Sequence, residues 1–345
     1  MESERILGQN HILRHFENAI RMGKISHAYI INGEEGSGKM NLAIHFAKAL
    51  QCERNNSNKA INEDGERITV PGTACGQCKS CKQTDSKNQP DIKYITYEKS
   101  GIGVDEIREQ INDDIDIKPY SSPYKIYIVP ESEKMTVQAQ NALLKTIEEP
   151  PEYAIIILLT TNADTFLQTI LSRCVMLNIR PVKEDIIKNQ LTSQYGVGDY
   201  EARVAATFSN GNPGKAIKLA TSEEFKELKQ YVVGMFMSLE KGGMDIIGEA
   251  IKKTGTFKKQ IDEYFSLMRI WFRDILVYKA TKEEDQIIFQ DEYMTIEKMS
   301  QTYSFDDIND ILKAIDLAES RIKSNVNFDS TIEILLLSIK EKTSG

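Results

Sequence analysis

The stretch from residue 124 to residue 174 alternates apolar strands with a helix, and it restricts the possible folds more than any other part of the chain. Residues 125–129 and 154–159 are short, β-branched, apolar runs of the kind that form buried strands. Between them, residues 134–149 carry apolar side chains at helical spacing, and two prolines stop that helix. Strand, helix and strand predict a parallel α/β sheet, whose chemistry lies at the carboxyl ends of its strands.

A glycine-rich loop follows another apolar strand, residues 28–32, and precedes a helix that reaches about residue 50. In such a loop the backbone N–H groups face an anion, and a lysine adds positive charge for the outer phosphates. The loop residues of this kind are Gly33, Gly36, Gly38 and Lys39. The next position needs a hydroxyl for Mg²⁺, but it is Met40, whose thioether does not bind a hard cation. Two interpretations stay open, a nucleotide-binding loop and a vestigial strand–helix turn, and the lost ligand favours the second.

Four of the five cysteines fall in the first quarter of the chain: Cys52, Cys75, Cys78 and Cys81. The two-residue gaps among the last three let neighbouring thiolates converge on one tetrahedral ion, and four sulfurs make a closed structural site. Residues 53–74 are polar and poor in core side chains, so a metal would supply the free energy that their folding lacks. We predict a structural zinc ion rather than disulfides. The fifth cysteine, Cys174, is expected to be a small buried core residue.

Composition limits the class of protein. At 345 residues the chain is long for one domain, and two or three are expected. It has no run of about 18 apolar residues, so no membrane-spanning segment is expected. The N-terminus lacks the pattern of a signal peptide, and a cytoplasmic location is the expectation. The formal net charge of −8 disfavours an independent DNA-binding role.

The sequence NALLKTIEEPP, followed by TTN and then TILSRC, resembles the clamp-loader ATPases of bacterial replication, and the delta-prime subunit family in particular. The resemblance covers nearly the whole chain, is densest at residues 105–174 and is thin after about residue 220. It implies an α/β core of the AAA+ P-loop type over residues 1–180, with an inserted zinc module at about residues 52–90. A helical lid domain, residues 181–221, and an all-α collar domain, residues 222–345, would follow.

The resemblance also shows where the nucleotide site departs from the family pattern. ATP-hydrolysing relatives have Asp-Glu after the strand that matches residues 126–129, and these residues hold Mg²⁺ and orient the attacking water. This chain has Pro130 and Glu131, so a second metal contact is missing. Asn162 stands at the position of a γ-phosphate sensor, with a strand cap as the alternative, and Lys215 stands near the place of a second sensor, an arginine. The resemblance thus implies a degenerate site made of the loop residues, Glu131 and Asn162, without hydrolysis and with ATP binding left open.

In the resembled family the Ser-Arg-Cys triplet projects its arginine, here Arg173, into the ATP site of the neighbouring subunit. A guanidinium is always charged and binds phosphate oxygens in bidentate fashion. Supplied across an interface, it stabilises the phosphoryl group during transfer. The alternative is a salt bridge within the chain, with Glu131 or Asp164 as the partner. Because the motif is intact, the resemblance favours a trans arginine finger.

The resemblance therefore implies a non-hydrolysing clamp-loader subunit of DNA polymerase III. It would serve a gamma/tau-type ATPase, adjoin a delta-type subunit, and meet the sliding clamp and primer–template DNA through the complex. Two alternatives stay open. A self-sufficient AAA+ ATPase of the gamma/tau motor type would hydrolyse ATP with Mg²⁺ on its own. A zinc-dependent DNA-binding module would bind duplex DNA with a steep dependence on salt.

Overall fold

The computed structural model describes residues 6–56, 71–98, 101–241 and 245–343. The chain divides into two compact units, one of Met1–Ile187 with Asn210–Lys215 and the other of Lys188–Ser209 with Ala216–Gly345. The division into three domains, with boundaries near residues 180 and 221, stays a prediction. Among the described residues, no helix combines the length and the apolar composition that crossing a membrane requires.

The first unit is built on a parallel sheet of five strands. These are β1 (Ala28–Asn32), β2 (Ile92–Tyr94), β3 (Lys125–Val129), β4 (Ala154–Thr160) and β5 (Val175–Asn178). Their order in space is β2–β3–β4–β1–β5, and every neighbouring pair is parallel. The predicted parallel α/β fold is confirmed, and the strand predicted at residues 154–159 extends by one residue.

The helices of the first unit are short connections and longer crossovers between these strands. They are α1 (Asn10–Met22), α2 (Lys39–Gln51), α3 (Glu53–Asn56), α4 (Lys79–Asp85), α5 (Val104–Ile107), α6 (Asp113–Ile115), α7 (Val137–Glu148) and α8 (Gln168–Leu171). Because a strand turns successive side chains to opposite faces, each central strand supplies two cores. Ile31 and Ile157 pack with Phe46 of α2 on one face, whereas Ile30 and Ile156 pack with Leu143 of α7 on the other. Burial on both faces explains why these strands are apolar throughout.

Helix α7 begins later than the apolar spacing predicts. Its first turn is set by Thr136, whose side chain accepts a hydrogen bond from the backbone N–H of Ala139. Such a cap satisfies one of the donors that a helix N-terminus leaves unpaired. Lys134, the first residue of the predicted helix, instead ends a separate 3₁₀ turn, Ser132–Lys134. The helix ends at Glu148, just before the two prolines, as predicted.

The spacing of Ile107 and Ile111 predicts one helix over residues 104–114, but a π-helical segment, Arg108–Asn112, separates α5 from α6. Two side-chain amides hold this wider turn. Gln110 pairs with the backbone N–H and C=O of Thr96 at 3.0 and 2.7 Å, and Asn112 donates to the carbonyl of Ala142 at 3.0 Å. The extra residue in the turn is thus offset by hydrogen bonds to neighbouring elements.

The parallel strands give the sheet two functionally different ends, which we call its carboxyl end and its amino end. Helices α2 and α7 start at the carboxyl end, after β1 and β3, and return to the amino end. The end of α2 lies there because Gln51 bonds the backbone of Tyr124, at the start of β3, with its amide donating to the carbonyl at 2.5 Å. The return of these helices brings Cys52 and Glu148 to the amino end of the sheet.

The second unit consists of helices and 3₁₀ turns in its described residues, as predicted for the chain after residue 223. The helix α9 (Glu184–Tyr195) runs into it from the first unit, and the helix α11 (Pro213–Thr221) begins in the segment assigned to the first unit. The other helices are α10 (Asp199–Phe208), α12 (Glu223–Lys241), α13 (Asp245–Thr256), α14 (Ile261–Thr281), α15 (Tyr293–Thr302), α16 (Phe305–Lys323) and α17 (Phe328–Thr343). Trp271 of α14 is fully buried and stacks on Phe236 of α12, with ring centroids 5.6 Å apart. The apolar side chains along α14 therefore contribute to the core of this unit.

Candidate functional site

The glycine-rich loop lies at the carboxyl end of β1 and leads directly into α2, as the sequence predicts. Gly36 and Gly38 have φ angles of 79° and 95°, which is the left-handed region that glycine adopts without strain. The N–H of Gly33 donates to the carbonyl of Thr160 at 3.1 Å, which joins the loop to the end of β4. The backbone therefore has the form of a phosphate-binding loop.

The lysine of this loop donates hydrogen bonds to the backbone of the loop itself. Lys39 Nζ donates to the carbonyl oxygens of Gly33 at 2.5 Å and of Glu34 at 2.8 Å. Burial lowers the pKa of Lys39, and the negative charges of Glu133, Glu35 and Glu34 partly oppose that effect. The ammonium group thus bonds two carbonyls of its own loop, near several negative charges.

A turn from later in the chain lies against the same loop. Asn212 Nδ2 donates to the carbonyl of Glu35 at 2.7 Å, and the N–H of Gly214 donates to the carbonyl of Gly36 at 3.1 Å. A Cβ atom on Gly214 would lie 2.5 Å from that carbonyl oxygen, so only glycine permits this approach. Asn212 also caps α11, since its Oδ1 accepts from the N–H of Lys215 at 3.1 Å. We call residues 212–214 the covering turn.

The negative charge of Glu133, the second of two acidic residues after β3, partly opposes the lowering of the Lys39 pKa, and the role predicted for Glu131 in a nucleotide site stays a prediction. Glu131 has a φ of 47° and accepts hydrogen bonds from the hydroxyl of Tyr97 and from Lys134 Nζ, the latter at 2.9 Å. Sequence reasoning named Glu131 from its place directly after Pro130. The intervening 3₁₀ turn, which redirects the chain, has no clear signal in the sequence.

Glu133 is fixed at the carboxyl end of β4. It accepts hydrogen bonds from the hydroxyl of Thr161 at 2.7 Å and from its N–H at 3.2 Å. Burial opposes ionisation of this carboxyl, but the hydrogen bonds from Thr161 lower the pKa of Glu133. Glu133 is thus held as a carboxylate whose charge acts on the loop lysine.

The other residues predicted for this site have contacts of their own. Asn162 Oδ1 accepts from the N–H of Asp164 at 3.0 Å, which caps the 3₁₀ turn Ala163–Thr165 and agrees with the alternative interpretation as a cap. Met40 packs its side chain against the apolar core formed by α1 and α2. Its position therefore supplies an apolar group where a magnesium ligand would stand. The sensor role of Asn162 stays a prediction.

The four clustered cysteines come together beyond the end of α2. The Sγ atoms of Cys52, Cys75, Cys78 and Cys81 all lie within 4.8 Å of one another. The Sγ atoms of Cys75 and Cys81 are 3.9 Å apart. Four sulfurs bound to one zinc ion at about 2.3 Å would be separated by about 3.8 Å, so this donor set fits a tetrahedral metal.

Backbone N–H groups point at these sulfurs. The N–H groups of Cys75, Cys78 and Cys81 donate respectively to the Sγ atoms of Cys52, Cys75 and Cys78, at 3.3 to 3.4 Å. Hydrogen bonds from the N–H groups of Gln77 and Cys78 lower the pKa of the Cys75 thiol to about 6. Such donors favour the thiolate form, which is the form that binds metal. Cys174 lies outside the cluster, packs against the core, and burial raises its pKa to about 12.

Arg173 is 39% exposed and lies at the amino end of the sheet, just before β5. Its Nη2 atom pairs with Oε1 of Glu148 at 2.9 Å, while Nη1 donates to the carbonyl of Thr169 at 3.0 Å and to the hydroxyl of Ser172 at 3.2 Å. The salt bridge within the chain thus exists, but its partner is Glu148 and neither Glu131 nor Asp164. Sequence reasoning missed Glu148 because the contact depends on where α7 ends relative to α8.

The register of the sheet separates Arg173 from the glycine-rich loop of its own chain. Val175 is level with Tyr29, so Arg173 is approximately level with His27 at the start of β1. Gly33 is six residues further along the chain, a distance of about 20 Å at about 3.3 Å per residue. An arginine side chain cannot bridge that distance, so Arg173 does not act on a phosphate held by its own loop.

Comparison with known families assigns the chain. A family model described as "DNA polymerase III, delta subunit" matches residues 8–183, and a model of the C-terminal part of that subunit matches residues 248–341. The chain belongs to the delta-prime family of DNA polymerase III clamp-loader subunits. DNA polymerase III subunit delta' of Bacillus subtilis is 26% identical to it over 337 residues, which are 96% of each chain.

Other relatives of this clamp-loader subunit match over shorter stretches. DNA polymerase III subunit tau of Bacillus subtilis is 34% identical over 221 residues, which are 63% of this chain and 36% of tau. The tau/gamma subunit of Haemophilus influenzae is 33% identical over 54% of this chain and 25% of its own length. Among solved structures, a gamma subunit-related protein of Thermotoga maritima is 21% identical, with a TM-score of 0.42 over 96% of this chain and 99% of its own.

Proposed function

We propose that this clamp-loader subunit hydrolyses no ATP itself and supplies Arg173 to the ATP site of a neighbouring gamma/tau-type subunit. The observation that carries the proposal is the position of Arg173, which is exposed and about 20 Å from its own loop. A guanidinium that acts on phosphate from this position must act on the phosphate of another chain. The relatives of this chain are DNA polymerase III subunits, which agrees with such an assembly.

The salt bridge with Glu148 does not prevent this role. Both side chains are well exposed, at 39% and 45%, and exposed ion pairs contribute only about 0–1 kcal/mol. Glu148 contacts only the Nη2 atom, so the guanidinium can still bind a triphosphate of a neighbouring subunit while the pair is kept. The guanidinium would stabilise charge on the phosphoryl group during transfer.

The state of the chain's own loop supports the absence of hydrolysis. Met40 and Pro130 remove two magnesium contacts, and the loop carbonyls already accept from Lys39. The covering turn bonds Glu35 and Gly36 on the other side of the loop. We infer that residues 33–39 serve as a structural connection between β1 and α2. ATP hydrolysis by the purified chain would contradict this and favour a self-sufficient motor.

For the cysteine cluster we propose one structural zinc ion, held by Cys52, Cys75, Cys78 and Cys81. The all-sulfur donor set and the distances between the sulfurs support it, and four protein ligands leave no open position for catalysis. The ion would fasten the segment at residues 75–81 to the end of α2. The described segment around it, residues 71–85, has few apolar side chains of its own, so its fold would depend on the metal.

The same proposal covers the assembly. The chain would adjoin a gamma/tau-type and a delta-type subunit and would meet the sliding clamp and primer–template DNA only through the complex. The α/β unit would serve as the AAA+ core, with the following helices as lid and collar. The net charge of −8 supports DNA contact through the complex rather than by the free chain.

Replacing Arg173 by alanine tests the proposal in a reconstituted complex with its partner subunits, primed DNA and clamp. We expect the DNA-stimulated ATPase rate at the site that Arg173 serves to fall about a thousandfold or more, because arginine fingers contribute at least that much. Total turnover then falls by the share of that one site. Assembly, followed by gel filtration, should not change.

Arg14→Ala is the matched control, since it removes an exposed arginine from α1 in the same unit. Turnover of that complex should equal the wild type. If the Arg173→Ala complex assembles and hydrolyses ATP at the wild-type rate, Arg173 is not a trans finger and the proposed function is wrong.

A further inference from the structure

We propose that Glu148 is a positioning residue for Arg173 and holds the guanidinium in the orientation in which it meets the neighbouring phosphate. This inference rests on the proposed function of Arg173. It adds a residue that acts through the arginine and does not itself contact the nucleotide.

The fold brings the two residues together from different parts of the chain. Helix α7 returns from the carboxyl end of the sheet and ends at Glu148, whereas α8 ends two residues before Arg173. Both ends therefore lie at the amino end of the sheet, and Glu148 Oε1 contacts Arg173 Nη2 at 2.9 Å. The length of α7 thus determines that Glu148 is the residue that pairs with Arg173.

The place of Glu148 in its helix is unfavourable without the arginine. The C-terminus of a helix carries partial negative charge, so a carboxylate there is destabilised. Two acidic residues, Glu148 and Glu149, nevertheless follow one another at the end of α7. Glu148 pairs with Arg173, but within the described part of the chain no cation pairs with Glu149. The pairing is therefore specific to one of two adjacent carboxylates and is not a general effect of charge at this end.

The contacts of the Arg173 guanidinium within the chain use only some of its N–H donors. It has five N–H donors in a rigid plane. Two on Nη1 bond the carbonyl of Thr169 and the hydroxyl of Ser172, and Nη2 lies 2.9 Å from Glu148 Oε1 as an ion pair. The Nε proton has no acceptor among the described residues, and the adjacent Nη2 group has only its ion-pair contact with Glu148. A pair of adjacent donors is what a phosphate needs for bidentate binding.

Without Glu148 the Nη2 side of the plane loses its only described anchor, and the side chain gains rotational freedom. That freedom must be lost again when the guanidinium meets the phosphate in the transition state. The effect should therefore appear in the rate of the chemical step and not in ATP binding.

The test uses the reconstituted complex and the part of its ATPase turnover that depends on Arg173, taken as the difference between wild-type and Arg173→Ala complexes. In Glu148→Ala this part of kcat should fall about fivefold, because that is the size of the contribution of a strong exposed ion pair. The KM for ATP should stay within about twofold of the wild type, since only the transition state is affected. Glu148→Gln keeps an acceptor oxygen and should recover part of the loss.

Glu149→Ala is the matched control, because it removes the adjacent carboxylate of the same helix end, which makes no ion pair in the described residues. It should leave turnover unchanged. Adding Glu148→Ala to Arg173→Ala should cause no further loss, since a positioning residue has no effect once the finger is gone.

The results separate this inference from the function on which it rests. A loss in Glu148→Ala that is absent from Glu149→Ala and from the Arg173→Ala background supports the inference. Turnover in Glu148→Ala at or above the wild-type level, while Arg173→Ala lowers it, overturns the inference and leaves the finger intact. Equal losses of turnover in Glu148→Ala and Glu149→Ala also overturn it, because they would indicate that either substitution disturbs the end of α7. If Arg173→Ala itself has no effect, the proposed function has failed.

Discussion

The carboxyl end and the amino end of the sheet hold similar residues but use them differently. At the carboxyl end, Lys39 donates to two carbonyls of its own loop, and the covering turn occupies the other side of that loop. At the amino end, Arg173 contacts Glu148, Thr169 and Ser172, and its Nε proton has no acceptor among the described residues. Lys39 is bonded within its own loop, whereas Arg173 is the cation that the proposed function gives to a partner.

A second cation at the amino end, Lys125, is buried and paired within the chain, so the exposure of Arg173 is not shared by every cation in this region. Lys125 begins β3, is 5% exposed, and pairs with Asp114 at 2.8 Å. Asp114 also pairs with Lys93 at 2.7 Å and accepts from the hydroxyl of Tyr127 at 2.7 Å. The two ends therefore differ at particular residues, and substitutions can test each of them.

The largest expected effect concerns the cysteine cluster at the amino end. Cys78→Ser should abolish stoichiometric metal binding, since zinc binding contributes on the order of 10 kcal/mol to the folding of such small modules. Metal content by atomic spectroscopy and proteolysis within residues 53–90 measure this. Cys174→Ser, outside the cluster, should keep the metal. A wild-type chain whose proteolysis and stability do not change on metal chelation would exclude a structural metal.

The next largest effect concerns Asp114. Asp114→Ala leaves the buried ammonium of Lys125 without its carboxylate, and breaking such a pair costs about 3–5 kcal/mol. The measurement is the free energy of urea-induced unfolding. Asp113→Ala, at the exposed neighbouring position, should cost less than about 0.5 kcal/mol. Equal values for the two variants would show that the pair does not stabilise the amino end.

The contacts of Asp114 should also make the stability of the folded chain depend on pH. Burial raises the pKa of Asp114, but hydrogen bonds from Lys125, Lys93 and Tyr127 outweigh burial and lower it overall. Because the pKa is lower in the folded chain, the stabilisation is complete above the unfolded value of about 3.9. It is lost as the pH falls through the lower folded pKa. Unfolding measured from about pH 6 downward should show a weaker acid dependence in Asp114→Ala than in the wild type.

A smaller effect is expected at the covering turn. Gly214→Ala places a Cβ atom 2.5 Å from the carbonyl oxygen of Gly36, and such overpacking costs about 1–3 kcal/mol. Gly248→Ala in α13, where a Cβ atom meets nothing within 4 Å, should instead stabilise the chain by about 0.5–1 kcal/mol. Thermal unfolding compares the two variants. A destabilisation of equal size in Gly214→Ala and Gly248→Ala would mean that the covering turn does not pack closely against the glycine-rich loop.

The smallest effect is expected for Lys39, and it tests the comparison most directly. Lys39→Ala should change the ATPase turnover of the reconstituted complex by less than about twofold, because this loop takes no part in hydrolysis. The measurement is the same assay used for Arg173→Ala. A loss equal to the share of one site would show that the loop holds a hydrolysed nucleotide, and the contrast between the two cations would fail.

The parts of the molecule that could be predicted are those fixed by local pattern. The strands were predictable because burial on both faces makes them apolar throughout, as in β4. The cysteine cluster was predictable because two-residue gaps bring thiolates to one side of a turn. Arg173 was found through a motif, which is also local information.

The parts that could not be predicted depend on distances between elements. Asn212 meets Glu35 across 177 positions of the chain, and no local pattern encodes that contact. Glu148 was missed because its pairing depends on where two helices end, and Glu133 because a 3₁₀ turn redirects the chain after β3. The buried Lys125 belongs to an apolar run, and its partner lies beyond a π-helical segment that the spacing did not reveal.

The assignment of Asn210–Lys215 to the first unit has a practical consequence. Since the residues on both sides of this segment belong to the second unit, the backbone crosses between the units three times. A fragment cut after Ile187 would retain the whole sheet but lose Asn212 and Gly214, and with them the donors to the carbonyls of Glu35 and Gly36. Simple truncation therefore does not isolate the first unit with its glycine-rich loop. Residues 210–215 would have to be joined to residues 1–187, by a linker or by circular permutation.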